Sequence, residues 1–511
     1  MTDWTAGYMA DIEYTFGYYQ ELNPLRVKLA FLNAGLVCPA IGSACELGFG
    51  QGLSTNLHAA ATLTHWGGTD FNPSHASFAQ ELASVSGADA KLYDQSFAEF
   101  AHRSDLPDFD FIGLHGIWSW INDDNRSVIV NFIRTKLKVG GVLYISYNTQ
   151  PGWAAFAPVR HLMTEHAAAM GSSGAGILSR VDGALDFTDK LLATNPRFLR
   201  ANPGVAERLK FIQGQNRQYL AHEYFNRDWL PMHFGTLAQW LEPAKVGFAC
   251  SANLFDHVDG INLSAEQQTL LQQIPDAMFR ETVRDFMVNQ LFRRDYWVKG
   301  PRKLSALEKG EALRAQRVML TSSRADVSLK VNGALGEVAL QAAVYNPLLD
   351  ALADYQPKTL GQLESLLQEQ GVSFDQLVQA TVLLSGAGHV GAVQEAALIP
   401  AAKKHTDQLN AHLLQKARTS SDMGCLASPV TGGGIVVGRF AQLFLLAIRQ
   451  GQRQPAEWAQ LVWQLLAAQG QRLSKEGRTL DSAEDNLAEL TAQAESFSLH
   501  QWPLLKALQI S

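Results

Sequence analysis

Five short apolar runs, each set off by a turn or a helix-forming segment, fill residues 41–147 of this 511-residue chain. The runs at 41–47, 65–71, 90–93, 109–114 and 142–147 read as strands, the last of them fully apolar and entered through the Gly140-Gly141 turn. Between them, 54–63, 73–85 and 126–137 read as helices, with Asn72 or Ser74 placed to cap the second. Strands that alternate with helices pair in parallel through right-handed crossovers, which predicts an α/β sheet.

The turn after the first strand is Glu46-Leu47-Gly48-Phe49-Gly50-Gln51-Gly52. Glycines at such a turn allow positive φ and close approach of a ligand to the backbone. The helix that follows presents unpaired N–H groups and the positive end of its dipole. A dinucleotide fingerprint wants its third glycine at position 53, where this chain has Leu53. The glycines fall instead at 48, 50 and 52, with Glu46 ahead of them. Asp70 follows Gly52 by 18 residues, at the end of the second strand beside Phe71. An acid at about that distance is placed to accept hydrogen bonds from ribose hydroxyls. Asp94-Gln95-Ser96-Phe97 follows the third strand. Taken singly, the glycines describe a tight turn, Asp70 a helix cap and Asp94 a solvated loop acid; their order at three successive strand ends points to a nucleoside site in the crevice of an open sheet.

These residues resemble class I S-adenosylmethionine-dependent methyltransferases over 41–147. More narrowly, the chain is similar to bacterial methyltransferases that carry a methyltransferase regulatory domain, among them the rickettsial protein-lysine methyltransferases. The strings that carry this likeness are Leu114-His115-Gly116-Ile117-Trp118-Ser119-Trp120, Tyr147-Asn148-Thr149-Gln150-Pro151-Gly152-Trp153, His222-Glu223-Tyr224-Phe225-Asn226 with Trp229 and Pro231, and Phe292-Arg293-Arg294-Asp295-Tyr296. The likeness covers residues 1 to about 300 and loosens afterwards, although Ser428-Pro429-Val430-Thr431-Gly432-Gly433-Gly434 also fits.

The resemblance implies a seven-stranded Rossmann-like sheet, with 246–253 and 292–298 as its last two strands. It implies S-adenosyl-L-methionine as cofactor, held by Glu46, Gly48, Gly50, Gly52, Asp70 and Phe71. The 94–97 loop, with Asp94, Ser96 and Phe97 as its candidates, would cover the adenine, with Phe97 near its face and a polar neighbour at its edge. Residues 1–40 would fold over the cofactor through Tyr14 and Tyr18, unless these tyrosines only pack on the sheet. Residues 41–150 would form the cofactor core, 151–230 a helical lid bent at 171–176, and 231–300 the completion of the sheet.

Methyl transfer from a sulfonium needs donor and acceptor held in line and water excluded; it requires neither a metal nor a Ser-His-Asp triad. A lysine acceptor must first lose its proton, and an aromatic, desolvated pocket favours that loss. Trp118, Tyr147 and Trp153 are therefore expected to line the acceptor channel, with His115 orienting either ligand or serving as a hydrogen-bonded structural histidine. The expected activity is methyl transfer to a protein side chain, with lysine as acceptor. A small-molecule methyltransferase and a catalytically silent S-adenosylmethionine-binding protein are the alternatives.

Bulk properties bound the rest. The length suggests two to four domains, and the change in composition near residue 300 suggests a mainly helical region over 301–511. Helices at 359–368 and 373–385 would form a helix-turn-helix or winged-helix arrangement. A net charge of −7 and acids at Glu364, Glu369 and Asp375 argue against nucleic acid as partner and favour regulation or substrate docking. Gly432-Gly433-Gly434 lacks a Lys-Ser/Thr tail and reads as a flexible turn at a domain contact. The four scattered cysteines, the lack of a signal-like start and the lack of a 20-residue apolar run predict a cytoplasmic protein without a membrane span. His161 and His166 are five apart, the wrong spacing for a helical metal pair, so no metal is expected.

Overall fold

The computed structural model describes residues 14–171 and 176–510. Most of the bend expected at 171–176, and residues 1–13 of the expected covering segment, lie outside the described residues. Among the described residues, β1 (Ser43–Leu47), β2 (His65–Thr69), β3 (Ala90–Tyr93), β4 (Phe109–Leu114), β5 (Leu137–Asn148), β6 (Gly247–Ser251) and β7 (Phe292–Val298) form one sheet in the order β3-β2-β1-β4-β5-β7-β6. The first five are parallel; β7 runs antiparallel between β5 and β6. Both strands expected to complete the sheet do so.

Local chemistry sets the helices that carry the site. α1 (Pro24–Asn33) starts on Pro24, with the Asn23 side chain accepting from the Leu25 N–H. α2 (Leu53–Ala61) starts at Gly52, which has φ +68°. α3 (Pro73–Ser86) is capped by Asn72, whose side chain accepts from the Ser74 N–H, and ends on Gly87 in the left-handed conformation. α4 (Phe97–Ala101) has a reciprocal capping box between Ser96 and Glu99. α5 (Asp123–Lys136) begins three residues before the apolar pattern suggests, because Asn122 caps it and its acids sit in the first turn.

The pleat divides the sheet into two cores. Ala44, Trp66, Phe111, Val142, Tyr144 and Tyr296 face α1 and the buried residues of 313–390. Cys45, Leu47, Ile112, Leu143, Ile145 and Trp297 face α5 and the helix Phe234–Leu241. The first of these clusters runs without a break across residue 300. After β5 the chain makes a run of helices between Gln150 and Tyr224, which pack on one another around Trp153, Met163 and Leu185.

Beyond β7 the chain is mainly helical. The expected pair of helices appears as Leu360–Leu367 and Phe374–Gly386, beside a small antiparallel sheet of Arg317–Leu320, Lys358–Thr359 and Val390–Ala392. The rest wraps α2. Leu53, Leu57, Ala60 and Ala61 share a core with Leu409, Leu413, Leu426 and Phe444, and all nine residues of α2 are buried. The glycines expected to form a flexible turn are packed instead. Gly432 closes the turn of a hairpin whose strands are Cys425–Ser428 and Gly433–Val436, and Gly433 and Gly434 open the second strand. A Cβ on Gly433 would come within 2.6 Å of Tyr18 Oη and of Asn23 Nδ2. Asn23 Nδ2 also donates to the Thr431 carbonyl at 3.0 Å. Among the described residues, no helix is long and apolar enough to cross a membrane.

Candidate functional site

A cavity of about 190 Å³ opens at the carboxyl ends of β1, β2, β3 and β4. Gly48, Gly50 and Gly52 line it with φ of +76°, +57° and +68°, a conformation that side chains with a Cβ disfavour. The Gly48 N–H donates to the Thr69 carbonyl at 2.8 Å, which ties the turn to β2. Asp70 also lines the cavity. Its Oδ2 accepts from the Gly50 N–H at 2.9 Å; its Oδ1 accepts from the Asn72 N–H at 3.0 Å and faces His75 Nδ1 at 3.2 Å. A carboxylate offers about four acceptor positions. Three are used, and the fourth belongs to Oδ2, beside the glycine turn.

Gln95, Ser96 and Phe97 follow β3 along the wall. The Ser96 hydroxyl and N–H are committed to the Glu99 capping box. Gln95 Oε1 is buried without a hydrogen-bond partner. Such a group costs about 1–3 kcal/mol unless a ligand donor reaches it. Asp94, a candidate of that loop, is exposed and outside the lining, whereas Gln95 lines the cavity. Phe71 and Ile117 complete this end of the cavity.

Glu46 lies behind the turn rather than on the cavity wall. It is fully buried, and its Oε2 accepts from the Thr55 hydroxyl. Burial pushes its carboxyl up to about 7, against the pull of that hydroxyl bond and with help from the Asp70 charge. The folded state therefore holds this proton more tightly than the unfolded chain, whose value lies near 4.5. Stability from this group is complete below that value and lost as the pH rises to about 7. The expected outcome is that wild type loses several degrees of melting temperature relative to Glu46→Gln between pH 5 and pH 8, measured by calorimetry. Parallel pH profiles would place the proton elsewhere.

His115 lines the cavity, stacked on Tyr19 with centroids 3.6 Å apart, and its Nδ1 lies 2.8 Å from Tyr144 Oη. Burial lowers its pKa to about 4, so the ring is neutral at pH 7 and acts as a hydrogen-bonded wall. Tyr14 covers the turn: a Cβ on Gly50 would sit 3.3 Å from its Cδ1. Tyr18 is elsewhere, against the glycine hairpin of the C-terminal region.

Three expected channel residues need correction. Trp118 is fully buried, with its indole N–H on Met232 Sδ and its ring edge-on to Trp240. Tyr147 is fully buried and donates to Asp295 Oδ2 at 3.0 Å. Trp153 packs among Phe156, Tyr224 and Trp229 in the helical segment after β5. None of the three lines the cavity. The cavity is bordered on that side by Trp120, Ile121, Asn122, Asn125 and Asp228. Helix capping by Asn122 was the local signal for that loop; Asp228 had none. Among the described residues, no group of three or more His, Cys, Asp or Glu could hold a metal.

The uncharacterized protein sll1526 of Synechocystis is 43% identical over 513 residues, spanning 99% of this chain and 100% of that protein. The chain belongs to the sll1526 family. Residues 216–299 match the predicted methyltransferase regulatory domain. In this sll1526-family member that stretch supplies β6 and β7, so it completes the sheet instead of standing apart from it. The uncharacterized protein RP789 of Rickettsia prowazekii is 25% identical over 299 residues, 55% of this chain and 51% of that protein. The structure of PKMT2 from Rickettsia typhi in complex with AdoHcy matches 98% of this chain and 100% of that one, with TM-score 0.70 and 15% identity. A second structure of PKMT2 from Rickettsia typhi matches 96% of this chain and 99% of that one, with TM-score 0.69 and 16% identity. The sll1526-family chain thus shares the fold of PKMT2 over almost its whole length, with a seven-stranded Rossmann-like sheet followed by a mainly helical region.

Proposed function

We propose that this chain is an S-adenosylmethionine-dependent methyltransferase that acts on a protein, with a lysine side chain as acceptor. The observation that carries the reading is the cavity wall. A glycine turn held in left-handed φ, an acid with one acceptor position left and an orphaned amide oxygen meet there, at three successive strand ends.

Those residues fit the cofactor. The Asp70 Oδ2 would accept from a ribose hydroxyl, Gln95 Oε1 from the adenine amino group, and Phe71 and Ile117 would sandwich the base. The turn and the start of α2 would meet the rest of the nucleoside at the backbone. When bound, the cofactor supplies a methyl group already activated on sulfonium sulfur. The chain then has to position the acceptor and exclude water. Tyr14 and Trp120 serve that purpose, covering the cavity from the N-terminal segment and from the loop after β4.

The resemblance to rickettsial protein-lysine methyltransferases, and the likeness of the whole fold to PKMT2 of Rickettsia typhi, support a protein acceptor. Calorimetry with S-adenosylhomocysteine, followed by tritiated methyl transfer into a fractionated lysate, tests the reading. Saturable binding and label in protein bands are expected, with the label recovered as methyllysine. Label confined to small molecules would move the acceptor class, and binding without any transfer would make the chain a silent cofactor binder.

A further inference from the structure

The helix Arg217–Tyr224 lies behind the Trp120 wall of the cavity, and its Glu223, outside the cavity lining itself, carries a carboxyl group that the cofactor does not need. Trp120, on the cavity wall, donates its indole N–H to the Glu223 carbonyl at 3.3 Å, which pins that turn beside the wall. The preceding residue, His222, meets the Tyr14 ring edge-on at 5.0 Å. The Glu223 side chain lies among Tyr14 from the N-terminal segment, Arg208 from the helix Gly204–Gln213, Tyr219 and Tyr224 from its own helix, and Asn148 from the end of β5. The Asn148 amide, buried and otherwise without a partner, faces that carboxyl group. Among the described residues, its named neighbours are thus aromatic rings, the Asn148 amide and the Arg208 cation.

We propose that Glu223 receives the acceptor: its carboxylate holds the incoming primary ammonium beside Tyr14 and Trp120 and takes one proton from it. This rests on the reading of the cavity as a cofactor site. The amine arrives as R–NH3⁺ and passes a proton to the carboxylate. The lone pair so freed forms the N–C bond, while the C–S bond breaks and its electron pair stays on sulfur. The product leaves as R–NH2CH3⁺, and the carboxyl group returns its proton to solvent. Burial raises the Glu223 carboxyl to about 7, with Arg208 and Asn148 pulling it down, so it changes charge in the range where an enzyme works. A surface glutamate, ionised throughout that range, would be a weaker proton acceptor. Tyr14 and Trp120 add the ring faces that attract an ammonium.

The probe is n-butylammonium chloride, titrated by ligand-observed NMR into the protein saturated with S-adenosylhomocysteine. Wild type is expected to bind it saturably, and about tenfold more tightly at pH 8 than at pH 5.5, because the carboxylate forms as the pH rises through about 7. Glu223→Gln should bind it about tenfold more weakly at pH 8 and without pH dependence, while S-adenosylhomocysteine affinity stays within threefold. Glu223→Asp should restore the pH dependence in part. Absence of butylammonium binding to wild type, or a flat wild-type profile, overturns the proposal, and neither result depends on how a variant folds. Equal binding by Glu223→Gln overturns it as well. Failure of wild type to bind S-adenosylhomocysteine is a different result, which removes the cofactor reading itself.

Discussion

Asp70→Ala should bind S-adenosylhomocysteine about a hundredfold more weakly than wild type and still fold. A hydrogen bond to a charged acceptor is worth about 1.5–3 kcal/mol, and that is what a ribose hydroxyl would lose. The same change strips the Gly50 N–H of its acceptor and releases the Asn72 N–H and His75. The glycine turn then loses the bond that fixes it. A total of about 3 kcal/mol corresponds to roughly a hundredfold, at tenfold per 1.4 kcal/mol. Asp70→Asn should fare little better. Its NH2 group must face either the Gly50 N–H or the Asn72 N–H, and a donor against a donor gains nothing. Calorimetry reads the affinity, and near-ultraviolet circular dichroism confirms the packing. Binding within threefold of wild type would mean that the nucleoside sugar is not held at this carboxylate.

Gly52→Ala should be the most damaging single methyl group in the cofactor half. At φ +68° an L-residue costs about 1–2 kcal/mol. The added Cβ would also lie 2.4 Å from Ala79 Cβ and 3.3 Å from Ala79 Cα. Neither atom belongs to a flexible side chain, so α2 and α3 would have to part, at about 1–3 kcal/mol for overpacking. α2 cannot shift freely, because the C-terminal helices cover it. The expected result is a melting temperature lowered by several degrees together with weakened S-adenosylhomocysteine binding. Gly140→Ala is the control. It sits at φ +83° with nothing within 4 Å of a new Cβ, so it carries the backbone cost alone. If the two variants melt together, the contact with Ala79 is not the constraint described here.

Much of the site was legible because it is local. The glycine turn, the acid at the end of β2 and the polar loop after β3 each need only a strand end and the few residues beyond it. The acceptor side was misread for a geometric reason. Side chains alternate across a strand. On β5, Leu143, Ile145 and Tyr147 belong to the core under α5, while Tyr144, Ser146 and Asn148 turn toward His115, Gly116 and Glu223. The aromatic residue at 147 enters the core, and the pleat sends its neighbour at 148 toward Glu223. The short turn Trp118–Trp120 repeats the lesson: Trp118 enters the core, and Trp120 reaches the cavity. In the same way Asp94 is exposed while Gln95 lines the cavity.

The order of strands and helices, the seven-stranded sheet and the glycine-lined crevice at the strand ends were legible in the sequence itself, because apolar periodicity, caps and glycines act over a few residues. Tertiary packing alone decided which aromatic groups face solvent, ligand or core. It also brought Glu223 beside Tyr14 and Asn148, and it laid the C-terminal helices over α2. These contacts join segments far apart in the chain, and their energy comes from burial that no local pattern records.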